Sequence, residues 1–411
     1  MTADTGDTAV KHVVSVVIPA LNEERGIRQV LEQLLQAGRK VRQRFPGVQE
    51  VEILVVDDGS TDGTAALARQ VERVRVISHE RNRGYGAALK TGFAAARGDW
   101  LVFLDADGTY PPEFLVDLVK AMDRDDADII LGSRLAGATS RMPLTRRVGN
   151  TLFAHLLSWI TGRRITDTAS GMRIFKKEIL PRLGLLPDGL DFTPAMSTAA
   201  LHEGLDIREI PMSYDERAGR SKLNPVTDGL RFLFTILGTA HRYNPLKVFG
   251  TLGLLMLGLA LAYGTGPLVR YLEVGRVEEW AIYRLAAVMV LAVAGVNVIC
   301  FGAVANLLLA AARGVAPFRN SVLGRLLVRP AFMKRLWLIG LLLGLGAVAL
   351  NHRGLYSYLT RGTVDLHWSY LLAGAMLFLL GLSLMLWGSL VRAVLEIARR
   401  RNEASPAGSE Q

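Results

Sequence analysis

The chain has 411 residues, half of them hydrophobic, with a formal net charge of +10 and a mean hydropathy of +0.26. That balance suits one soluble domain followed by a membrane part. The single cysteine, Cys300, excludes an intrachain disulfide, and the long apolar segments assign the basic excess to an anionic membrane surface rather than to nucleic acid.

The N-terminus, MTADTGDTAVKH, lacks the apolar core of a cleavable signal peptide, and residues 1–11 read as disordered. Strand and helix signals then alternate. VVSVVIPA (13–20), VEILVVDDG (51–59), VRVISHE (74–80), WLVF (100–103), DIILGSR (128–134) and IREIPMSY (207–214) are apolar, β-branched runs. Helical patterns lie between them at 24–44, 61–69, 86–96 and 112–122. Strands buried on both faces and separated by helices predict a mainly parallel α/β sheet over 12–223, with ligands beyond the strands' carboxyl ends. The polar clusters PALNEE, DDGSTDGT and DADGTY all fall there.

Two amphipathic stretches follow, 146–162 (with Val148, Leu152, Phe153, Leu156 and Trp159) and 230–243, inside a juxtamembrane segment 224–245. Either lies at a membrane interface or packs as an ordinary core helix. Residues 246–398 carry four apolar segments, 246–272, 281–312, 332–350 and 369–391, each able to cross a hydrocarbon core of about 30 Å. Their Gly-rich stretches permit close helix packing and leave room for a homo-oligomer. The loop between the second and third holds Arg313, Arg319, Arg325, Arg329, Lys334 and Arg335 without an acid, and the 399–411 tail opens with three arginines. The positive-inside rule places both, and the α/β domain, in the cytoplasm.

The chemistry concentrates in DADGTYPPE. Asp105 and Asp107, one residue apart past a strand end, can reach one hard divalent cation, and such a cation suits a diphosphate.

PALNEE, DDGSTDGT, NRGYGAALKTG, DADGTYPPE, GSRL, DTASGMRIF and YDERAGRSKL, in this order, resemble family 2 glycosyltransferases of GT-A fold, and within them the polyprenyl-phosphate sugar synthases similar to dolichol-phosphate mannose synthase. The resemblance implies a Rossmann-like catalytic domain, a four-helix transmembrane domain, a nucleotide diphosphate sugar donor, a polyprenyl phosphate acceptor in the membrane and an inverting transfer. It implies that Pro19, Ala20, Asn22, Glu23, Asp57, Asp58, Lys90, Asp105 and Ala106 line the donor. Asp105, Asp107 and Thr109 would hold Mg²⁺ or Mn²⁺, with Thr109 standing where many relatives have Gln. The acceptor phosphate would meet Arg134, Arg146, Arg147, Ser170, Arg217 and Lys222. Asp107, Asp167 and Arg217 are the candidate catalytic residues, Asp167 acting directly or by orienting an arginine. The sugar stays open between mannose from GDP and glucose from UDP. Two other readings are a processive polysaccharide synthase, which would carry a Q-x-x-R-W element absent here, and an inactive membrane scaffold.

Overall fold

The computed structural model describes residues 11–136, 142–213, 227–313, 329–364 and 366–404. Its contacts divide the chain into two compact units, Met1–Ala240 and His241–Gln411.

The first unit is built on strands β1 (His12–Ala20), β2 (Val48–Asp57), β3 (Val74–Ser78), β4 (Trp100–Phe103), β5 (Ile129–Ser133), β6 (Arg173–Lys176) and β7 (Ile207–Pro211). They form one sheet in the order β3-β2-β1-β4-β6-β5-β7. Every pairing is parallel except those of β6, which runs antiparallel to β4 and β5. The parallel register sets Ala20 opposite Asp57 and Val17 opposite Phe103, so the loops after β1, β2 and β4 emerge at one edge. Helices α1 (Ile27–Arg44), α2 (Thr64–Arg69), α3 (Tyr85–Ala95), α4 (Leu115–Asp125), α5 (Leu144–Thr161) and α6 (Phe192–His202) belong to the unit, and α7 (Thr227–Tyr243) runs through its end. Val14, Val16, Ile18, Ile53 and Val55 pack against Ile27, Leu31 and Leu34 of α1 and Leu118, Val119 and Met122 of α4 in one core. This side-chain burial drives the fold.

The six predicted strands are all present, with ends moved by up to three residues. β6 and α6 had no periodic signal. Arg173, Ile174 and Phe175 are all buried, so β6 does not alternate, and α6 is buried along Phe192–Leu201, so it has no polar stripe. The first helix begins at Ile27 rather than at 24 because Asn22 takes a left-handed conformation (φ 53°) and the next residues form a turn.

The two amphipathic stretches are helices with apolar side chains left in the open. Val148 is 66% exposed and Leu152 64% on α5, and Phe234 is 68% exposed on α7. The opposite sides are packed, through Ala154, Leu157 and Ile160 on α5 and Ile236 on α7. Phe153 and Phe232 meet edge to face at 6.2 Å, and Thr235 Oγ1 donates to Asp191 Oδ2 at 2.7 Å.

The second unit contains α8 (Pro245–Val274), α9 (Ile282–Arg313), α10 (Pro330–Arg361) and α11 (Trp368–Ala404). All four are long and apolar enough to cross a membrane. The third predicted span ended at 350, whereas α10 runs on through Arg353 to Arg361 and stops at Gly362 (φ 71°), a left-handed cap. Asn351, His352 and Arg353 end the apolar run without breaking the helix. Glycines set the closest crossings. A Cβ on Gly253 would lie 2.6 Å from the Gly295 carbonyl oxygen, and one on Gly340 would lie 2.6 Å from that of Gly381. Trp387 Nε1 donates to Asn297 Oδ1 (2.8 Å), and Asn297 Nδ2 donates to Ser383 Oγ (3.1 Å), tying α9 to α11.

Candidate active site

The loops after β1 and β2 are cross-linked into one platform. Asn22 N–H donates to Ser60 Oγ (2.9 Å), and Asn22 Oδ1 accepts from Thr61 N–H (2.8 Å). Glu23 N–H donates to Thr64 Oγ1 (2.8 Å), and Glu24 Oε2 accepts from Gly63 N–H (3.0 Å). Pro19 and Ala20 end β1 beside Val56 and Asp57. Asp57 Oδ1 accepts from Ser60 N–H (3.2 Å), closing the turn.

Asp58 is buried and faces the next loop. Its Oδ1 accepts from His79 Nδ1 (2.7 Å) and Arg83 N–H (2.9 Å), and its Oδ2 from Gly84 N–H (2.8 Å). Asp58 therefore anchors the start of α3. Gly84 (φ 105°) and Gly86 allow a close approach there, and the group that approaches is the chain's own 187–188 backbone. Asp188 O accepts from Gly86 N–H at 2.7 Å, and a Cβ at either glycine would collide with this segment. Lys90 holds the same segment through Leu186 O (2.9 Å) and Asp188 Oδ1 (2.6 Å).

Asp105 and Asp107 follow β4, both half-buried, with Ala106 buried between them. Tyr85 Oη donates to Asp105 Oδ1 at 2.8 Å. Burial, and then the neighbouring Asp105 charge, push the Tyr85 phenol well above its ordinary pKa, so it stays a donor. Gly171 packs beneath Asp105 and leaves no room for a side chain. Asp107 Oδ1 accepts from Thr109 N–H (3.1 Å) and Thr109 Oγ1 (2.6 Å), and Thr109 is buried. Each aspartate thus has one oxygen fixed by a neutral hydroxyl donor.

Arg134 and Asp167 form a buried bidentate pair. Arg134 Nε and Nη2 donate to the two Asp167 oxygens, each at 2.7 Å. Asp167 also accepts from Arg134 N–H (3.1 Å) and Asn150 Nδ2 (2.8 Å). Burial alone would raise the Asp167 carboxyl, but the Arg134 charge and these hydrogen bonds hold it below the usual carboxylate range. Glu209 supports the segment from behind by accepting from Thr166 N–H (2.9 Å) and Asp167 N–H (3.0 Å), and burial raises its carboxyl. Tyr110 joins this pair to the Asp105–Asp107 loop: its hydroxyl accepts from Gly171 N–H (2.8 Å) and lies 3.3 Å from Arg134 Nη1. Arg173 is fully buried below, donating to Ser170 O (3.0 Å), Thr168 O (2.9 Å) and Ser197 Oγ (2.9 Å). Burial lowers it to about 10, still cationic at neutral pH.

The structure thus gathers Pro19, Ala20, Asn22, Glu23, Asp57, Asp105, Ala106, Asp107 and Thr109 at one sheet edge. Ser170 is buried, and its hydroxyl donates to Gly132 O at 2.6 Å. Arg146 and Arg147 open α5, the first half-buried and the second exposed. Arg217 and Lys222 lie outside the described residues. Tyr85, Tyr110 and Arg173 were not predicted, although each stands inside a quoted motif. His79, Asn150 and Glu209 had no sequence signal, because their importance comes from partners 12 or more residues away in the chain.

Acidic loops thus stand at the carboxyl edge of a mainly parallel sheet, in a chain whose other unit holds four helices of membrane length. Residues 15–184 match the model of glycosyl transferase family 2, and the chain belongs to that family. Residues 245–405 match a domain of unknown function. The low-salt glycan biosynthesis hexosyltransferase Agl6 of Haloferax volcanii is 32% identical over 303 residues, covering 73% of this chain and 70% of that protein. A dolichyl-phosphate hexose transferase of the same organism is 34% identical over 53% of this chain and 89% of its own length. The polyprenol monophosphomannose synthase of Mycolicibacterium smegmatis is 33% identical over 51% of this chain and 80% of its own length.

Proposed function

We propose that this enzyme moves a hexose, mannose or glucose, from a nucleoside diphosphate sugar to a polyprenyl phosphate, with inversion at the anomeric carbon. The observation that carries the reading is the pair Asp105 and Asp107, held beside the nucleotide platform in a chain with four helices of membrane length. The relatives' names supply the lipid phosphate acceptor.

The donor set suits a divalent cation shared with the substrate. Among the described residues no cluster of three or more His, Cys, Asp or Glu could hold a metal alone. Mg²⁺ needs only one or two carboxylates when substrate phosphates and water complete its shell. Asp105 and Asp107 would hold Mg²⁺ or Mn²⁺, whose chemistry is charge compensation of the diphosphate and the departing nucleotide. We assign Thr109 to orienting Asp107 through its 2.6 Å hydrogen bond. Asn22, Glu23 and Asp57 present acceptors to base and ribose donors, while Asp58 and Lys90 shape the loops around them.

Arg134 is committed to Asp167, so in this reading the pair positions the 132–135 and 166–171 segments rather than gripping phosphate directly. Acceptor phosphate falls to Arg217 and Lys222, with Arg146 and Arg147 at its approach. The phosphate oxygen attacks the anomeric carbon in line as the nucleotide leaves. The α5 and α7 apolar faces would rest on the membrane, and the loop charges support a catalytic domain on the cytoplasmic side.

The test is to incubate purified protein with short-chain polyprenyl phosphate, Mg²⁺ or Mn²⁺ and a panel of nucleotide sugars, and to detect glycolipid by mass spectrometry. A lipid-phosphate hexose that disappears in Asp107→Asn supports the reading. No product from folded protein that still binds nucleotide and metal rejects it.

A further inference from the structure

The turn between α8 and α9 holds an arginine with unused donors. Arg284 stands in the first turn of α9, and its guanidinium carbon lies 4.8 Å from the ring centroid of Tyr263 on α8 and 5.7 Å from that of Trp280. Gly266 makes the room, since a Cβ there would come within 2.8 Å of Arg284 Nη1. Arg284 Nε is buried with no hydrogen-bond partner. Two acids of the turn are directed elsewhere, Arg270 taking Glu273 at 3.4 Å and Glu278 at 3.4 Å, with Glu278 also accepting from Trp280 Nε1, and the third, Glu279, is exposed. No carboxylate among the described residues pairs with Arg284.

A guanidinium at the end of an apolar span is costly without an anion or water to meet it. Two aromatic rings within 6 Å restrain the guanidinium, and a planar fork is complementary to a phosphate. The depth is also right. Tyr271, Trp280 and Tyr283 are exposed around this turn, and exposed Trp and Tyr collect at the headgroup level of a bilayer.

We propose that Arg284, seated over Gly266 between Tyr263 and Trp280, binds the phosphate of a membrane lipid headgroup at the α8–α9 turn. The site is separate from the sugar-transfer chemistry and does not rest on it. Its ligand is a phosphate on a hydrocarbon anchor, and either a phospholipid or a polyprenyl phosphate presents that chemistry.

Native mass spectrometry of the full chain, released from detergent after equilibration with phosphatidylglycerol, with a short polyprenyl phosphate, or with a neutral diacylglycerol, reads the site. Wild type should retain a phospholipid that Arg284→Gln retains roughly tenfold less, the loss of one charge-assisted contact. Gly266→Val, which keeps the arginine but fills its seat, should lose the lipid too, and diacylglycerol should not be retained by any variant. Loss of polyprenyl phosphate alone in Arg284→Gln would assign the site to a polyprenyl-anchored phosphate, and loss of both lipids to phosphate in general. Equal retention of both phosphate lipids by wild type and Arg284→Gln would overturn the proposal. So would loss in Gly266→Val with full retention in Arg284→Gln, which would trace the effect to disturbed helix packing.

Discussion

Asp167→Asn should be among the most damaging single-atom changes in the catalytic domain. The substitution keeps shape but replaces a fully buried carboxylate that accepts two 2.7 Å bonds from Arg134 and a 2.8 Å bond from Asn150. Removing one charge from a buried pair leaves the other uncompensated and costs about 3–5 kcal/mol. The new amide also turns an acceptor into a donor facing donors. For a domain of this size each kcal/mol moves the midpoint by roughly 2–4 °C, so the full chain in detergent should lose on the order of 6–20 °C in its domain transition. Replacing both partners, as in Arg134→Met with Asp167→Leu, should recover most of that loss, because the desolvation cost leaves with the charges. The pH dependence has a definite sign. The folded-state carboxyl is held below its unfolded value, so its stabilisation is present above the unfolded pKa, about 3.9, and disappears as pH falls through the lower folded value. Thermal unfolding by intrinsic fluorescence between pH 3 and 7 reads all three effects. A shift below about 1 kcal/mol for Asp167→Asn, or a double variant as unstable as the sum of the single ones, would refute the argument.

Tyr85→Phe removes the 2.8 Å bond to Asp105 while keeping the ring, and should raise the metal concentration needed for half-maximal turnover several-fold with little change in melting temperature. An unchanged metal titration would count against that role. Arg217→Ala should damage use of the lipid acceptor more than binding of the donor; acceptor kinetics that match wild type in folded protein would sink it. Gly253→Val should disrupt the α8–α9 crossing, where even a Cβ meets the Gly295 carbonyl at 2.6 Å, and should be visible as lowered thermal stability of the helical unit. Normal melting of that variant would show that the crossing is not tightly packed.

By itself the sequence determined what repeats locally. Continuous β-branched runs gave the parallel strands, apolar length gave the four helices of membrane length, and dense polar clusters at strand ends gave the polar edge of the sheet, since these signals depend on neighbours a few residues apart. Only the tertiary structure decided what each polar side chain does once buried. Asp58, Lys90 and Ser170 are spent on the chain's own backbone or side chains, Arg134 on Asp167, and the glycines before α3 on the 187–188 segment. The fully buried β6 and α6 lacked periodicity for the same reason. A buried polar group must find a partner, and that partner is chosen by the packing of distant elements, which no local pattern encodes.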